Sequence, residues 1–257
     1  MKKFKLLVAT LLVGVLALGL AACGGVTADT NPADIKSQKV SEEQWRDAFA
    51  DLTGTLICKD NFTMKISMDM TVKTGETVIS SMTGSGLYQL AGKVYYGKME
   101  MTSVTGSGET ATTETDKEEG YMEEATVDGK DVVYEYTYNE TDEKWYKEES
   151  QDIESLSEAM LMMSSMLLSE SYAHMYEDFT YDDEAKAYVY VDEVKEGETV
   201  VSSTKTIIKI VGGKVVYIGT EEVDGTTAQS TQVMGIMICD VGNTKVELPA
   251  AELKTAA

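Results

Sequence analysis

His174 is the one histidine of the chain, and a hydrolytic triad would have to be built around it. No Gly-x-Ser-x-Gly elbow is present to supply a serine nucleophile. The acidic run Asp182-Asp183-Glu184 lies between two strand-like stretches, 176–181 and 187–194, and reads as turn chemistry. Gly84-Ser85-Gly86 and Gly106-Ser107-Gly108 lack the strand-to-helix context of a phosphate loop. The polar stretch Thr105 to Glu119 reads as a mobile loop or a weakly paired hairpin tip, and without an Asp-x-Asp-x-Asp-Gly arrangement and a distal glutamate it is no calcium loop. Cysteine and histidine are too few and too scattered for a zinc site. No metal and no cofactor is expected, and the chemistry on offer points to binding rather than catalysis.

Methionine is the most unusual side chain, with 15 copies. Met64, Ile66, Met68 and Met70 fall on one face of an alternating segment. Ile153, Leu156, Met160, Met163 and Leu167 step by three and four, as on one face of a helix. Thioethers are flexible and polarizable, so together these residues could line a cavity for an acyl chain or fill an ordinary core. Met162 and Met163 have aliphatic neighbours, which disfavours copper. Tyr134, Tyr136 and Tyr138 share one face of a strand, either as a row that stacks on a glycan or peptide or as cross-strand packing.

The elements that must position these residues begin with an export signal. Lys2, Lys3 and Lys5 precede an apolar run from Leu6 to Leu20, too short for an ordinary membrane span. Losing residues 1–22 removes three lysines and no acid, taking the net charge from −22 to −25. Such a balance argues against nucleic acid and against a polybasic grip on anionic lipid. Residues 23–40 read as an anchor point and flexible tether. Ser41-Glu42-Glu43-Gln44 fits a capping box, with Val40 and Trp45 placed as a hydrophobic staple. It opens an amphipathic helix over about 41–57, and a second is expected over about 152–168. Elsewhere the period is two. Turn pairs such as Thr74-Gly75, Ala91-Gly92, Asp128-Gly129, Glu196-Gly197 and Gly212-Gly213 imply hairpins and an antiparallel meander. Residues 249–257 are expected to fray. Cys58 and Cys239 either form a disulfide or remain isolated thiols.

Three echoes suggest two helix-plus-meander repeats, 41–150 and 151–248, within one domain over 41–248. Lys73-Thr-Gly-Glu-Thr-Val-Ile-Ser-Ser81 recurs as Lys195-Glu-Gly-Glu-Thr-Val-Val-Ser-Ser203. Gly92-Lys-Val-Tyr-Tyr96 recurs, one residue out of register, as Gly213-Lys-Val-Val-Tyr217. Asn61-Phe-Thr63 echoes Asp178-Phe-Thr180.

Leu20-Ala21-Ala22-Cys23 resembles a bacterial lipobox. That resemblance implies cleavage before Cys23, a diacylglyceryl group on its thiol, and anchoring on the extracytoplasmic face of the cell membrane. The element order from Ser41 to Leu248 resembles uncharacterised Gram-positive envelope lipoproteins and, more distantly, the LolA/LolB/LppX superfamily of lipoprotein and lipid carriers. This likeness implies an α+β, mainly antiparallel fold, with both helices packed on the concave side of a strongly curved half-barrel sheet. It implies a non-enzymatic protein holding a lipid or another apolar ligand. The alternative is an interaction module with a solid core, docking an envelope protein through an exposed strand or the tyrosine row.

Overall fold

A computed structural model describes residues 26–58, 61–157, 170–225 and 228–254. Period-two segments between glycine turns form strands β1 (Phe62–Thr74), β2 (Thr77–Ala91), β3 (Val94–Thr105), β4 (Thr112–Val127), β5 (Lys130–Asn139) and β6 (Lys144–Glu149). The second half adds β7 (Thr180–Asp182), β8 (Ala187–Glu196), β9 (Thr199–Val211), β10 (Lys214–Asp224), β11 (Ala228–Cys239) and β12 (Ala251–Leu253). At Asp128-Gly129 and Gly212-Gly213 both turn residues have positive φ, the geometry whose twist suits a two-residue hairpin. All twelve strands join one sheet in the order β12-β6-β5-β4-β3-β2-β1-β11-β10-β9-β8-β7. Every pairing is antiparallel except the parallel contact of β12 with β6.

This arrangement corrects the half-barrel expectation. The ladder is open, ending at β12 on one side and β7 on the other. Among the described residues one α-helix, α1 (Glu42–Cys58), is complete, and two helices packed on a concave side are not borne out. Residues 152–155, where the second helix was expected to begin, are not helical. The Ser150 hydroxyl accepts from the amides of Asp152 and Ile153, holding these residues in a local turn. Leu156 and Ser157 are helical, and residues 158–169 lie outside the described residues.

At α1 the capping box forms as read, with Ser41 Oγ accepting from the Gln44 amide and Gln44 Oε1 accepting from the Ser41 amide. Trp45, Ala48, Phe49 and Leu52 then press onto the sheet beside Phe62, Met64, Ile208, Ile218, Ile236 and Ile238. Trp45 is fully enclosed by the rings of Phe49, Tyr176, Phe179 and Tyr188, and its indole N–H donates to the Tyr172 carbonyl. Each such burial contributes about 1.5–3 kcal/mol. A helix of 17 residues is about 25 Å long, whereas the 15 residues of β2 extend about 50 Å. The core therefore covers one end of the sheet. At the other end Thr112–Glu119 of β4 and the last six residues of β8 are exposed. The polar stretch expected as a loop or weak hairpin tip is paired there, with Thr112–Glu119 opposite Lys98–Thr105.

The opposite, outer face is closed by the segment expected to be a loose tether. Ile35 packs with Val216, Met237 and Cys239, while Val26 and Ala28 lie against the same cluster. Lys209 donates to the carbonyls of Pro32 and Ile35 at 2.7 and 2.9 Å, and Lys65 donates to Ala28 at 2.6 Å. Ser37 bonds the backbone of Ile210 in both directions. Residues 26–40 are thus a strap across the sheet. The chain's end is also tied down, because Ala251–Leu253 pair with Trp145–Lys147 instead of fraying. Residues 255–257 lie outside the described residues.

The units β1–β4 and β8–β11 share more than hairpin order. The ladder slips between Val72 and Lys73 in the first and between Val194 and Lys195 in the second. The bulged residues are Ile79 and Val201, and their carbonyls accept from the amides of Gly106 and Gly225, each at 3.0 Å. The one-residue mismatch between the Gly92 and Gly213 echoes has a counterpart in a second bulge, between Val215 and Tyr217.

Candidate functional site: an aromatic face on strands β3 to β6

The residues expected to line a ligand cavity are only partly brought together. Met64 and Leu156 are buried in the α1 core, and Ile66 and Ile153 pack at its margin. Met68 and Met70 continue the same face beyond the helix and are half-buried. Met160, Met163 and Leu167 lie outside the described residues. Between α1 and the sheet a void bounded by Leu52, Val215, Ile238 and Val241 measures about 30 Å³, room for about one water.

Cys239 is a free thiol that donates to the Thr63 carbonyl, so it forms no disulfide. The reason is geometric. Cys239 pairs with Thr63 on the outer face, whereas α1, which ends at Cys58, packs on the inner face. Burial, followed by the Asp240 charge, pushes the thiol up to about 12. Cys23 lies outside the described residues. His174 is exposed at the end of a short 3-10 helix. Among the described residues no three potential ligands gather to hold a metal ion, and no helix is long and apolar enough to cross a membrane.

The tyrosine row is where side chains converge. Ladder register sets Tyr96 of β3 opposite Tyr121 of β4, Tyr121 opposite Tyr136 of β5, and Tyr138 opposite Trp145 of β6. Cross-strand partners share a face, so these side chains lie together on the outer face. Tyr96 and Tyr121 meet at 4.8 Å between ring centroids, Tyr121 and Trp145 at 5.2 Å, and Tyr138 and Trp145 at 5.3 Å. Tyr138 is 45% exposed. Tyr96 donates to Glu119, and Tyr136 donates to Glu123 at 2.6 Å. Lys147 lies 4.7 Å above the Tyr134 ring and 3.9 Å from Glu123. Burial first, then the bond to Glu119, pushes the Tyr96 phenol up to about 12; burial and Glu123 raise Tyr136 likewise. Both phenols therefore remain neutral donors at physiological pH. The result is a ring-covered surface bordered by carboxylates and an ammonium group.

On the inner face of the same strands lies a hollow of about 290 Å³. Tyr88 and Tyr95 stack beside it at 6.4 Å, Gly97 and Gly120 form its floor, and Glu118 and Glu135 stand at its rim. A Cβ at Gly97 would lie 2.9 Å from the Tyr95 hydroxyl, so any larger residue there would have to displace that ring.

Tyr96, Tyr121 and Trp145 were not part of the sequence-derived site. Part of the signal was available: counting outward from the Asp128-Gly129 turn sets Tyr121 beside Tyr136, whereas the pairing of Tyr121 with Tyr96 depends on the connection after Thr105. No family model and no curated protein matches the chain.

Proposed function

We propose that this protein is a non-enzymatic lipoprotein, acylated on Cys23 and held at the extracytoplasmic face of the cell membrane, that docks an uncharged glycan on the outer aromatic face of β3–β6. The observation that carries the reading is the convergence of Tyr96, Tyr121, Tyr138 and Trp145 on one sheet face, ringed by Glu119, Glu123 and Lys147. A sugar ring has an apolar C–H face and a polar rim, and aromatic rings with flanking hydrogen-bonding groups complement both. The net charge of −22 disfavours anionic polymers at the same surface.

Two measurements test it. Labelled palmitate should enter the wild-type protein and not the Cys23→Ala variant. Co-sedimentation with isolated cell-wall glycan should weaken at least about tenfold in a Tyr138→Ala/Trp145→Ala variant that keeps its circular dichroism. Equal retention of the two proteins would refute docking at this face.

The inner hollow favours a second reading, in which an apolar ligand rests on Tyr88, Tyr95, Met99 and Met122. Native mass spectrometry separates the two. A co-purified lipid lost on Tyr95→Ala supports the inner site, and an unliganded mass supports the outer one.

A further inference from the structure

From Tyr190 to Glu196 the outer edge of β8 has no strand beside it among the described residues, because β7 covers only Ala187–Val189. Val191 and Val194, on opposite faces of this edge, are 52% and 55% exposed. Exposed edges of this kind are ordinarily blunted or covered.

The molecule itself shows what this edge accepts. The shared bulge aligns Val194 with Val72, so Tyr190–Glu196 correspond to Met68–Thr74 of β1. Every one of those β1 residues is paired on its outer side with an antiparallel strand, from Met68 opposite Met234 to Thr74 opposite Ala228. The equivalent edge in the second unit has the same bulge and no occupant.

Its charge selects the occupant. The open stretch carries Asp192, Glu193 and Glu196, and its one lysine, Lys195, is already paired with Glu193 at 2.8 Å. In contrast, the stretch of β11 that covers β1, Ala228–Met234, contains no charged residue. A second copy is disfavoured, because antiparallel pairing of two β8 edges brings like carboxylates together on bodies of net charge −22 each. Where β7 gives way, a hollow of about 450 Å³ opens between Asp178, Thr180, Asp182, Val189, Tyr190 and Val191. It offers room for a long side chain from a strand continuing the line of β7.

We propose that the β8 edge, Tyr190–Glu196, captures an extended basic peptide segment by antiparallel strand addition, with alternating apolar residues lying beside Val191 and Val194. Main-chain pairing supplies affinity and the alternating side chains supply selectivity. This edge and the aromatic face lie toward opposite ends of the strand order, so neither proposal depends on the other.

The test uses the full chain and a synthetic peptide matching the seven open residues, with lysine alternating with valine. Binding should slow amide exchange at 190–196. An Asp192→Lys/Glu193→Lys variant should bind at least about tenfold more weakly. A peptide of the same composition, with its lysines in one block and its valines in another, should also lose at least about tenfold. Equal binding of the two peptides would reduce the effect to bulk charge and overturn the proposal. Unchanged exchange at 190–196, or exchange slowed elsewhere only, overturns it too. Tyr138→Ala/Trp145→Ala serves as a control and should leave peptide binding intact.

Discussion

Tyr95, Tyr96 and Tyr136, together with Tyr88, Tyr121, Tyr188 and Tyr217, all hold their phenols above the ordinary value, and burial is the largest cause for each. Below pH 10 these groups are neutral in both folded and unfolded chains, and their contribution to stability is fully present. As pH rises past 10 the unfolded chain gives up phenolic protons first. Stability then falls, and Tyr96 continues to contribute to the fall until about pH 12. Lys209 acts in the opposite sense, since desolvation lowers its ammonium below 10.5. Between its folded value and 10.5 it adds stability as pH rises, but one lysine opposes seven phenols. The expected result is cooperative alkaline unfolding above pH 10, with tyrosinate absorbance and loss of circular dichroism rising together. Independent titration of the tyrosines near pH 10 in a protein that keeps its native spectrum would contradict this. Cys239, buried and raised to about 12, should react with thiol reagents only along the same unfolding transition.

At the scale of elements, the strap of residues 26–40 is where sequence and structure part most usefully. Ile35 is 5% exposed, and replacing it with alanine should cost about 2–4 kcal/mol in urea unfolding. A loose tether would show less than about 0.5 kcal/mol for the same change. Lys209→Met should add about 1–3 kcal/mol of destabilisation by stranding the carbonyls of Pro32 and Ile35. The strap was illegible because it has no period. Its anchors are single apolar residues in polar sequence, and its partners are lysines that strand alternation assigns to solvent. Hairpins were legible, since Asp128-Gly129 and Gly212-Gly213 impose a conformation that few other pairs adopt. The start of the second helix was not legible from apolar spacing, because the Ser150 hydroxyl holds the amides of Asp152 and Ile153 in a turn and helical geometry begins at Leu156. The aromatic face was half legible. One strand's tyrosines could be read from alternation, and the rest needed register. Beyond the repeated sequence, β1–β4 and β8–β11 share a bulge whose carbonyl accepts from a glycine amide, at Ile79 and at Val201.

At the scale of the whole molecule, strands about 50 Å long run out from a core that covers only one end of the sheet. What holds the far end is the ladder itself with its cross-strand side chains. These include the pairs Lys117–Glu100 at 3.1 Å and Lys98–Glu119 at 3.8 Å. Both pairs are largely exposed, and such pairs are worth about 0–1 kcal/mol each. Against them stand 44 acidic residues facing 22 basic ones. Glu114, Asp116, Glu118 and Glu119 crowd the exposed half of β4, where neighbouring strands are only about 4.8 Å apart. Added salt weakens both effects, with a screening length of about 10 Å at 0.1 M. The attractions are few, short-ranged and local, whereas the repulsion acts over the whole sheet, so relief of repulsion should dominate. The melting temperature should therefore rise by about 2–4 °C for each 1 kcal/mol of repulsion relieved as sodium chloride increases from about 10 mM to 0.3 M. The gain should shrink in a Glu114→Gln/Asp116→Asn/Glu118→Gln variant, which thins the charge on β4 without removing Lys117–Glu100 or Lys98–Glu119. A melting temperature that falls with salt would mean that the cross-strand ion pairs, not the excess of carboxylates, govern the exposed half of the sheet.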